Sequence, residues 1–301
     1  MATLKEISDG LAAAVEKAGA GVVRVEGRRG PAASGTVWEI GLVLTADHVL
    51  EGDEGIRVSD GGGSLAAVVV GRDPRSDLAL LRVDGLGAAP APRSAGALRP
   101  GELVLAIGRP RALESTFGVV NAVAPASRGW RGWFMGDMIQ TEAPLNRGFS
   151  GGPLVDADGA VVGFNSWYYG RGNTRALPVA TADRIARDLR EVGHVRRPYL
   201  GIGTQPVSLD PPLRAAAGQD SGLLVVSVDG DSAAGVAGVL QGDTLLAVGD
   251  HATERMHDLI RALVALEVGS VQPLKLLRGG QVTTVPVTLG EWPREEAADG
   301  E

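Results

Sequence analysis

The chain contains a long series of short apolar runs, each bounded by turn-forming residues. The runs are rich in Val, Ile and Leu, and Gly, Pro, Asp or Ser lies between them. This spacing is typical of an all-β barrel or sandwich. The 44 glycines are spread along the chain, which favours many turns over a flexible linker. The runs are GVVRVEG, GTVWEIGLVLTADHVL, SLAAVVVGRD, SDLALLRV, GELVLAIGRP, STFGVVNAVA, DMIQTEA and GPLVDADGAVVGFNSW.

Helical patterns flank this β-rich region. LKEISDGLAAAVEKAG predicts a short opening helix, and TADRIARDLREVG predicts a second helix that stops at Gly193. In the second, apolar residues recur at helical spacing from Ala182 to Val192. HVRRP follows, and Pro198 favours an extended residue before it. We therefore place a domain boundary there, with a first domain at 1–195.

The remainder predicts a smaller β unit of five or six strands with one main helix, at 199–292. The helix is ERMHDLIRALVALEVG, which is amphipathic through Leu259, Leu263 and Leu266. Gly279-Gly280 predicts a hairpin between the last two strands. The acidic stretch at 293–301 is expected to fray.

Composition excludes several kinds of site and partner. The formal net charge of −7 argues against nucleic acid as the main partner, because phosphate binding favours a basic surface. The absence of cysteine excludes disulfides, zinc–thiolate sites and a cysteine nucleophile. The chain as given shows neither a signal peptide nor a membrane span, which predicts a cytoplasmic protein. A chain that had lost its signal or anchor would look the same and would be periplasmic or extracytoplasmic.

Ser150 stands among glycines in NRGFSGGPLVDADG, and two interpretations compete. The first is a tight turn, in which Gly supplies positive φ. The second is a nucleophile whose neighbouring amides must be open to a substrate oxygen. A serine hydroxyl needs a nearby base, and His48 in LTADHVL is the histidine that precedes Ser150 within the β-rich unit. Asp77, just before an apolar strand, is the candidate to orient that imidazole.

Neighbouring carboxylates are weaker candidates for this role. Asp73 is next to a proline and is interpreted as a turn residue, and Asp47 adjoins His48 but is expected to point elsewhere. The backbone amides of Gly148 and Ser150 are predicted to hold the oxyanion, since Gly148 has no Cβ to hinder an inward-facing amide.

The order His48, Asp77, Ser150 is that of chymotrypsin-type β-barrel enzymes. GFSGG also matches the nucleophile elbow of α/β-hydrolases, which would suggest a lipolytic esterase. That motif must be followed by a helix and has its histidine last. Here Pro153 and a hairpin follow instead, so the elbow is rejected.

LTADHVL, SDLALLRV and NRGFSGGPLVDADGAVVGFN resemble the three catalytic segments of the HtrA/Deg family of trypsin-like serine proteases. TRALPVATADRIARDL is similar to the segment that closes the family's second barrel. RPYLGI, GLLVVSV, SAAGVAGVLQGDTLLAVGD and VTTVPVTLGE resemble a bacterial PDZ domain in its family position.

The resemblance implies a mostly β protein: a chymotrypsin-like double β-barrel protease domain followed by a PDZ domain. It implies a bacterial serine endopeptidase of protein quality control, acting on unfolded or damaged proteins without metal or cofactor. The PDZ domain would bind C-terminal peptide tails by strand addition. Its groove would use a carboxylate-binding loop and a helix wall, formed by Tyr199, Leu200, Gly201, Ile202 and His257.

The resemblance also assigns the specificity pocket to Pro144, Leu145, Ser166 and Trp167. Neither Pro144 nor Leu145 is acidic, so cleavage after small or medium apolar residues is expected. Phe149 stands where many relatives have Asn or Asp, and it excludes activation by an ion pair to a new N-terminus. The family's trimers often use N-terminal aromatics, but the first aromatic here is Trp38. A homo-oligomer is therefore possible, and whether it is a trimer stays open.

Two questions remain open at this point. The loop WRGWF, 130–134, is either a regulatory or substrate-contacting loop or part of the barrel packing. The alternative to an active protease is a catalytically latent or inactive peptide-binding, chaperone-like protein.

Overall fold

The computed structural model describes residues 3–94, 96–124, 127–128, 134–135, 138–169 and 174–293. The chain divides into two compact units, Met1–Val195 and Arg196–Glu301, and the division falls within HVRRP. The mostly β fold class is confirmed. The exact domain limits that the sequence analysis gives stay predictions.

The first unit opens with helix α1 (Leu4–Gly19), as its sequence pattern predicts. The Thr3 hydroxyl accepts a hydrogen bond from the Glu6 amide at 3.2 Å, and the Glu6 carboxylate accepts one from the Thr3 amide at 2.7 Å. This reciprocal pair satisfies two of the amides that a helix start leaves without partners.

A seven-stranded antiparallel sheet follows, in the order β5-β4-β1-β2-β3-β7-β6. One expected run, SLAAVVVGRD, forms two strands because it changes partners at Ala67, which is outside both. The strands are β1 (Val22–Glu26), β2 (Ala33–Glu39), β3 (Leu42–Thr45), β4 (Arg57–Ser59), β5 (Ser64–Ala66), β6 (Val68–Asp73) and β7 (Leu78–Arg82).

Six further strands close into a barrel in the order β12-β15-β14-β13-β8-β9, and β10 and β11 pair with each other. Gly159, at φ +74°, lies in the predicted hairpin between β13 and β14. The strands are β8 (Leu103–Gly108), β9 (Glu114–Ala124), β10 (Ser127–Arg128), β11 (Phe134–Met135), β12 (Met138–Thr141), β13 (Pro153–Asp156), β14 (Val161–Asn165) and β15 (Thr174–Pro178).

Helix α2 (Val179–Val192) ends the first unit and buries Ala182, Ile185 and Leu189. Gly193 caps it in the left-handed conformation, φ +78°, and its amide donates to the Leu189 carbonyl. The period change seen in the sequence therefore locates this helix correctly.

The second unit contains a six-stranded sheet in the order β17-β18-β19-β21-β22, with β20 paired to β19. Gly279 and Gly280, at φ +55° and +81°, form the predicted two-residue hairpin turn. The strands are β16 (Pro198–Tyr199), β17 (Ile202–Ser208), β18 (Ser221–Val228), β19 (Thr244–Val248), β20 (His251–Ala252), β21 (Val271–Arg278), β22 (Gln281–Thr288) and β23 (Gly290–Glu291). The helices are α3 (Pro211–Ala217), α4 (Ala233–Val236) and α5 (Met256–Val264).

Each unit has its own buried apolar core. In the first, one cluster fills the seven-stranded sheet and packs against α1 and α2, and a second fills the closed barrel. Within the described ranges, no helix has the length and hydropathy that a membrane crossing requires.

Candidate active site

Strand β3 delivers His48 to the site. The strand ends at Thr45, and residues 47–49 form a single 3₁₀ turn that leaves the imidazole about one-third exposed. Nδ1 of His48 lies 2.8 and 2.9 Å from the two carboxylate oxygens of Asp77. The His48 amide donates to the same carboxylate at 2.9 Å. Asp77 therefore holds both the ring and the backbone of the histidine.

Asp77 is itself held rigidly. Its side chain is buried, and it has φ +53°, a positive value that no other non-glycine residue shows in the described ranges. Its carbonyl accepts from the Asp47 amide at 3.2 Å, and the Ser166 hydroxyl donates to its carboxylate. The predicted placement of Asp77 just before an apolar strand matches β7, which begins at Leu78.

Ser150 lies in the loop between β12 and β13. The Phe149 amide donates to the Asn146 carbonyl at 3.0 Å, and Gly148 has φ +91°. A positive φ at the third position is what a type II turn requires, so glycine is needed here for its backbone and not only for space. Gly151, at φ +92°, is equally constrained, because a Cβ there would lie 1.9 Å from the Ser34 carbonyl oxygen.

Strand β2 of the first sheet fixes this loop. The Ser34 amide donates to the Ser150 carbonyl at 3.1 Å, and the Ser34 hydroxyl donates to the Gly148 carbonyl at 2.7 Å. The Thr36 hydroxyl donates to the Gly151 carbonyl at 3.0 Å. These bonds tie the serine loop of the barrel to the sheet that carries His48 and Asp77.

His48, Gly148 and Ser150 line one cavity of about 400 Å³, together with Trp167. The Ser150 hydroxyl oxygen accepts a hydrogen bond from the Trp167 amide at 3.2 Å. In the described part of the chain, neither the Gly148 nor the Ser150 amide nitrogen donates a hydrogen bond. Both amides thus lack a partner within the described residues, as an oxyanion site requires, and their role as that site stays a prediction.

Phe149 is fully buried in the barrel core, among apolar side chains that include Ala106, Leu154 and Val162. A Cβ on Gly108 would lie 2.6 Å from its ring, so that glycine makes room for it. Packing, rather than an ion pair, therefore anchors the residue next to the serine.

The four residues predicted for a specificity pocket have different environments. Trp167 lines the Ser150 cavity and is 56% exposed, whereas Pro144 is exposed and its carbonyl accepts from the Thr116 hydroxyl at 2.6 Å. Leu145 is half-buried against the barrel core. Ser166 is buried and its hydroxyl is bonded to Asp77, so its side chain supports the carboxylate. The pocket role of these residues stays a prediction.

A network around Arg72 supports the 3₁₀ turn, and sequence reasoning did not find it. The guanidinium donates to the Asp47 carboxylate at 2.6 Å, to the Asp53 carboxylate at 3.0 Å and to the Leu50 carbonyl at 3.1 Å. Burial raises the pKa of Asp47 above its usual 3.8, although Arg72 acts in the opposite direction. The Asp47 carboxylate is therefore bonded to Arg72, and it is Asp77 that contacts the His48 ring.

Asp73 and Tyr169 both bond to Ser76, the residue that precedes Asp77. Asp73 was expected in a turn but is the last residue of β6; it is buried, and its carboxylate accepts from the amide and hydroxyl of Ser76 in the turn that follows. The Tyr169 hydroxyl donates to the Ser76 carbonyl at 3.0 Å. Burial, together with the nearby charges of Asp77 and Asp73, raises the pKa of Tyr169 well above 10, so the phenol stays neutral.

The residues predicted to bind peptide tails lie in the second unit. Tyr199 packs edge-on against Trp292, Leu200 is buried and Gly201 has φ +77°. The Leu200 and Gly201 carbonyls accept from the Ala234 and Asp229 amides, both at 2.9 Å.

Strand β17, which begins at Ile202, is an edge of the sheet and packs beside helix α5. His257 lies in the first turn of that helix, exposed, with Nε2 3.0 Å from the Asp258 carboxylate.

Two other expectations concern metals and the WRGWF loop. Across the ranges that the structure describes, no three His, Asp or Glu side chains are grouped to hold a metal ion. Residues 130–133 of WRGWF lie outside the described residues. Both interpretations of this segment, a regulatory or substrate-contacting loop and a part of the barrel packing, therefore stay predictions.

Comparisons with known proteins agree with this arrangement. A model of the trypsin-like peptidase domain matches residues 33–164, and a PDZ domain model matches residues 198–289. The chain is 33% identical over 290 residues to a probable periplasmic serine endoprotease, DegP-like, of Halomonas elongata, covering 91% of this chain and 59% of that protein. It is 35% identical over 271 residues to a protein of the same description from Pseudomonas putida, covering 86% of this chain and 56% of that protein. The chain thus spans less than two-thirds of the length of these curated relatives.

Solved structures are also similar. The HtrA-type protease AlgW with a tripeptide has a TM-score of 0.78 and 29% identity, covering 94% of this chain and 98% of that chain. A serine endoprotease from Yersinia pestis has a TM-score of 0.72 and 29% identity, with the same coverage.

Proposed function

The chain belongs to the HtrA/Deg family of trypsin-like serine proteases, and we propose that it is a serine endopeptidase that cleaves unfolded or damaged polypeptides. The observation that carries this proposal is the contact of both Asp77 carboxylate oxygens with Nδ1 of His48. His48 and Ser150 line the same cavity. A carboxylate on Nδ1 fixes the proton there and leaves Nε2 as the basic nitrogen.

In the proposed mechanism, Nε2 of His48 takes the Ser150 hydroxyl proton while Oγ attacks the scissile carbonyl carbon. The amides of Gly148 and Ser150 donate to the resulting oxyanion. His48 then passes its proton to the leaving amine, and the peptide bond breaks. Water, activated by the same nitrogen, hydrolyses the acyl-enzyme and restores Ser150. Asp77 stabilises the imidazolium throughout, and Ser166 holds Asp77.

Cleavage of an unfolded casein-like protein tests this proposal. The Ser150→Ala variant should lose all detectable proteolysis, whereas Ser115→Ala, which changes an exposed serine of strand β9, should cleave as the unchanged chain does. Sequencing the products tests the expected preference for small or medium apolar residues. Undiminished cleavage by Ser150→Ala contradicts the mechanism, and a strong preference for Arg contradicts the specificity.

The second unit supports a role in binding peptide C-termini. Edge strand β17 has an open side, and an extended peptide can add to such an edge in the groove beside α5. The turn at Gly201 precedes this strand, where a terminal carboxylate would meet backbone amides. Some relatives of known structure are described with a decapeptide or a tripeptide, which supports peptide as the ligand.

Gly201→Ala tests the groove. A Cβ there would lie 2.0 Å from Cβ of Ser232, and the residue has φ +77°, so the turn must move. Measured by fluorescence anisotropy in the Ser150→Ala background, a peptide with a free apolar C-terminus should bind at least about tenfold more weakly. Gly218→Ala is the matched control, with φ +77° and open space. Equal binding of free and amidated peptides would refute carboxylate recognition.

The relatives favour the periplasmic of the two predicted compartments, since their descriptions include that location. Fractionation of cells that express the full gene would decide between them.

A further inference from the structure

A second cavity, of about 550 Å³, adjoins the one that contains Ser150. Arg147 lines both cavities. Its neighbour Gly148 also forms part of the boundary, because a Cβ there would lie 2.6 Å from Cβ of Pro110 and 2.8 Å from the Ala32 carbonyl oxygen, and both of those residues line the second cavity. A polypeptide whose scissile carbonyl sits at the Gly148 amide therefore has this cavity within reach of its next few side chains.

The charge of the second cavity is unusual for this chain. Arg24, Arg111 and Arg147 line it, and Glu114 is the one acidic residue among its described lining residues. The whole chain has a formal net charge of −7, so a basic cavity does not follow from the average composition. The Ser150 cavity continues the pattern, since Arg28 and Arg147 line it and none of its described lining residues is acidic.

The positive charges of the three arginines that line the second cavity are only partly balanced by acidic side chains. Arg24 is ion-paired with Glu26, but its Nε atom is buried and has no hydrogen-bond partner among the described residues. Over the same ranges, Arg111 and Arg147 form no ion pair. Two of the three guanidinium groups thus have no counter-ion among the described residues, and a carboxylate is the acceptor that matches a guanidinium fork.

We infer that this cavity, defined by Arg24, Arg111, Arg147 and Glu114, binds a carboxylate of the polypeptide that is being cleaved. The inference rests on the proposed endopeptidase function and adds to it a preference for substrates with an acidic group close to the scissile bond. The carboxylate has two sources: an Asp or Glu side chain, or the free C-terminus of a short leaving segment. Basic side chains at the same positions meet like charge and are disfavoured.

Matched peptides separate the two sources. All share one cleavable sequence with an apolar residue before the scissile bond. In the first arm Glu is compared with Gln at each of the three positions on either side of that bond, in amidated peptides. In the second arm a peptide without acidic residues is compared with its own amide. The readout is the ratio of kcat/KM between partners of each pair. We expect at least one pair to favour the carboxylate by about fivefold, the size of one partly exposed ion pair.

The variants Arg111→Gln and Arg24→Gln should bring that ratio close to one, and Glu114→Gln should increase it, because the remaining acidic group is removed. Arg99→Gln is the matched control, since Arg99 is an exposed arginine of the same unit whose ion pair with Glu102 lies outside the cavity. Raising the salt concentration from about 0.05 to about 0.5 M should also reduce the ratio, because exposed charges are screened.

The outcomes are distinct. Ratios near one in every pair overturn the inference and leave the endopeptidase standing. A preference that survives both Arg111→Gln and Arg24→Gln also overturns it, because the carboxylate is then bound elsewhere. A chain that cleaves none of the peptides refutes the endopeptidase and this inference with it.

Discussion

Ser166 shows how the environment of a single residue changes its interpretation. The family resemblance assigns it to the specificity pocket, which stays a prediction, and its hydroxyl donates to the Asp77 carboxylate. That bond matters because Asp77 already uses both oxygens on Nδ1 of His48, and a carboxylate that can rotate would no longer align the ring. Ser166 is thus a positioning residue that acts through Asp77.

Ser166→Ala should lower kcat by about tenfold and leave KM nearly unchanged, since a hydrogen bond to a charged group is lost without touching the substrate. Steady-state kinetics on a peptide substrate measures the two constants. Ser76→Ala is the matched control, because it removes another buried serine–aspartate hydrogen bond, and its hydroxyl is bonded to Asp73 rather than to Asp77. The assignment is wrong if both variants reduce kcat equally, or if Ser166→Ala raises KM alone.

The element that carries His48 is a single 3₁₀ turn, and such a turn has little stability of its own. Arg72, from strand β6, compensates by bonding to the Asp47 carboxylate and to the carbonyls of Asp47 and Leu50. Sequence reasoning found His48 but not this support. Arg72 is 25 residues from Asp47, and no spacing rule relates a strand residue to a turn that it meets only in the folded protein.

Arg72→Met should destabilise the first unit by about 2 kcal/mol, because Asp47 is left largely buried without its cation. It should also lower kcat, since the turn that holds His48 loosens. Urea unfolding and peptide kinetics provide the two readouts. Arg190→Met is the control, as it breaks an exposed ion pair with Glu39. Equal effects of the two variants would contradict the role given to Arg72.

The same variant predicts a pH dependence. Burial already raises the pKa of Asp47, and removing Arg72 takes away the group that lowers it. A carboxyl whose pKa is higher in the folded state favours folding at low pH and loses that advantage as the pH rises through the folded value. The stability deficit of Arg72→Met should therefore be smallest below about pH 4 and grow toward neutrality. A deficit that is independent of pH would contradict this account.

Elements with strong local signals were predicted well. Helix α2 and its Gly193 cap, and the hairpin turn at Gly279-Gly280, depend on patterns confined to a few residues. The division of SLAAVVVGRD into two strands was missed because the apolar run is continuous, whereas β5 pairs with β4 before it and β6 pairs with β7 after it. Similarly, tertiary packing leaves Nε of Arg24 without a hydrogen-bond partner among the described residues and forms the cavity that Arg24 lines. Neither feature has a signal in the sequence.

At the scale of the whole molecule, fold class and family were predictable because several motifs occur in a fixed order along the chain. His48, Asp77 and Ser150 are separated by 29 and 73 positions, yet the first sheet and the closed barrel bring them to one site. The bonds from Ser34 and Thr36 to the serine loop produce that convergence, and they could not be inferred from sequence, since β2 has no motif that identifies it as the strand that holds the loop.

Labelling of the purified protein with a fluorophosphonate tests the central claim most directly, because the probe reacts with a serine only where a base and an oxyanion site are assembled around it. Mass spectrometry should place one adduct per chain on Ser150, and His48→Ala should abolish it. An unlabelled chain would favour the latent or inactive alternative, and an adduct on any other serine would contradict the site described.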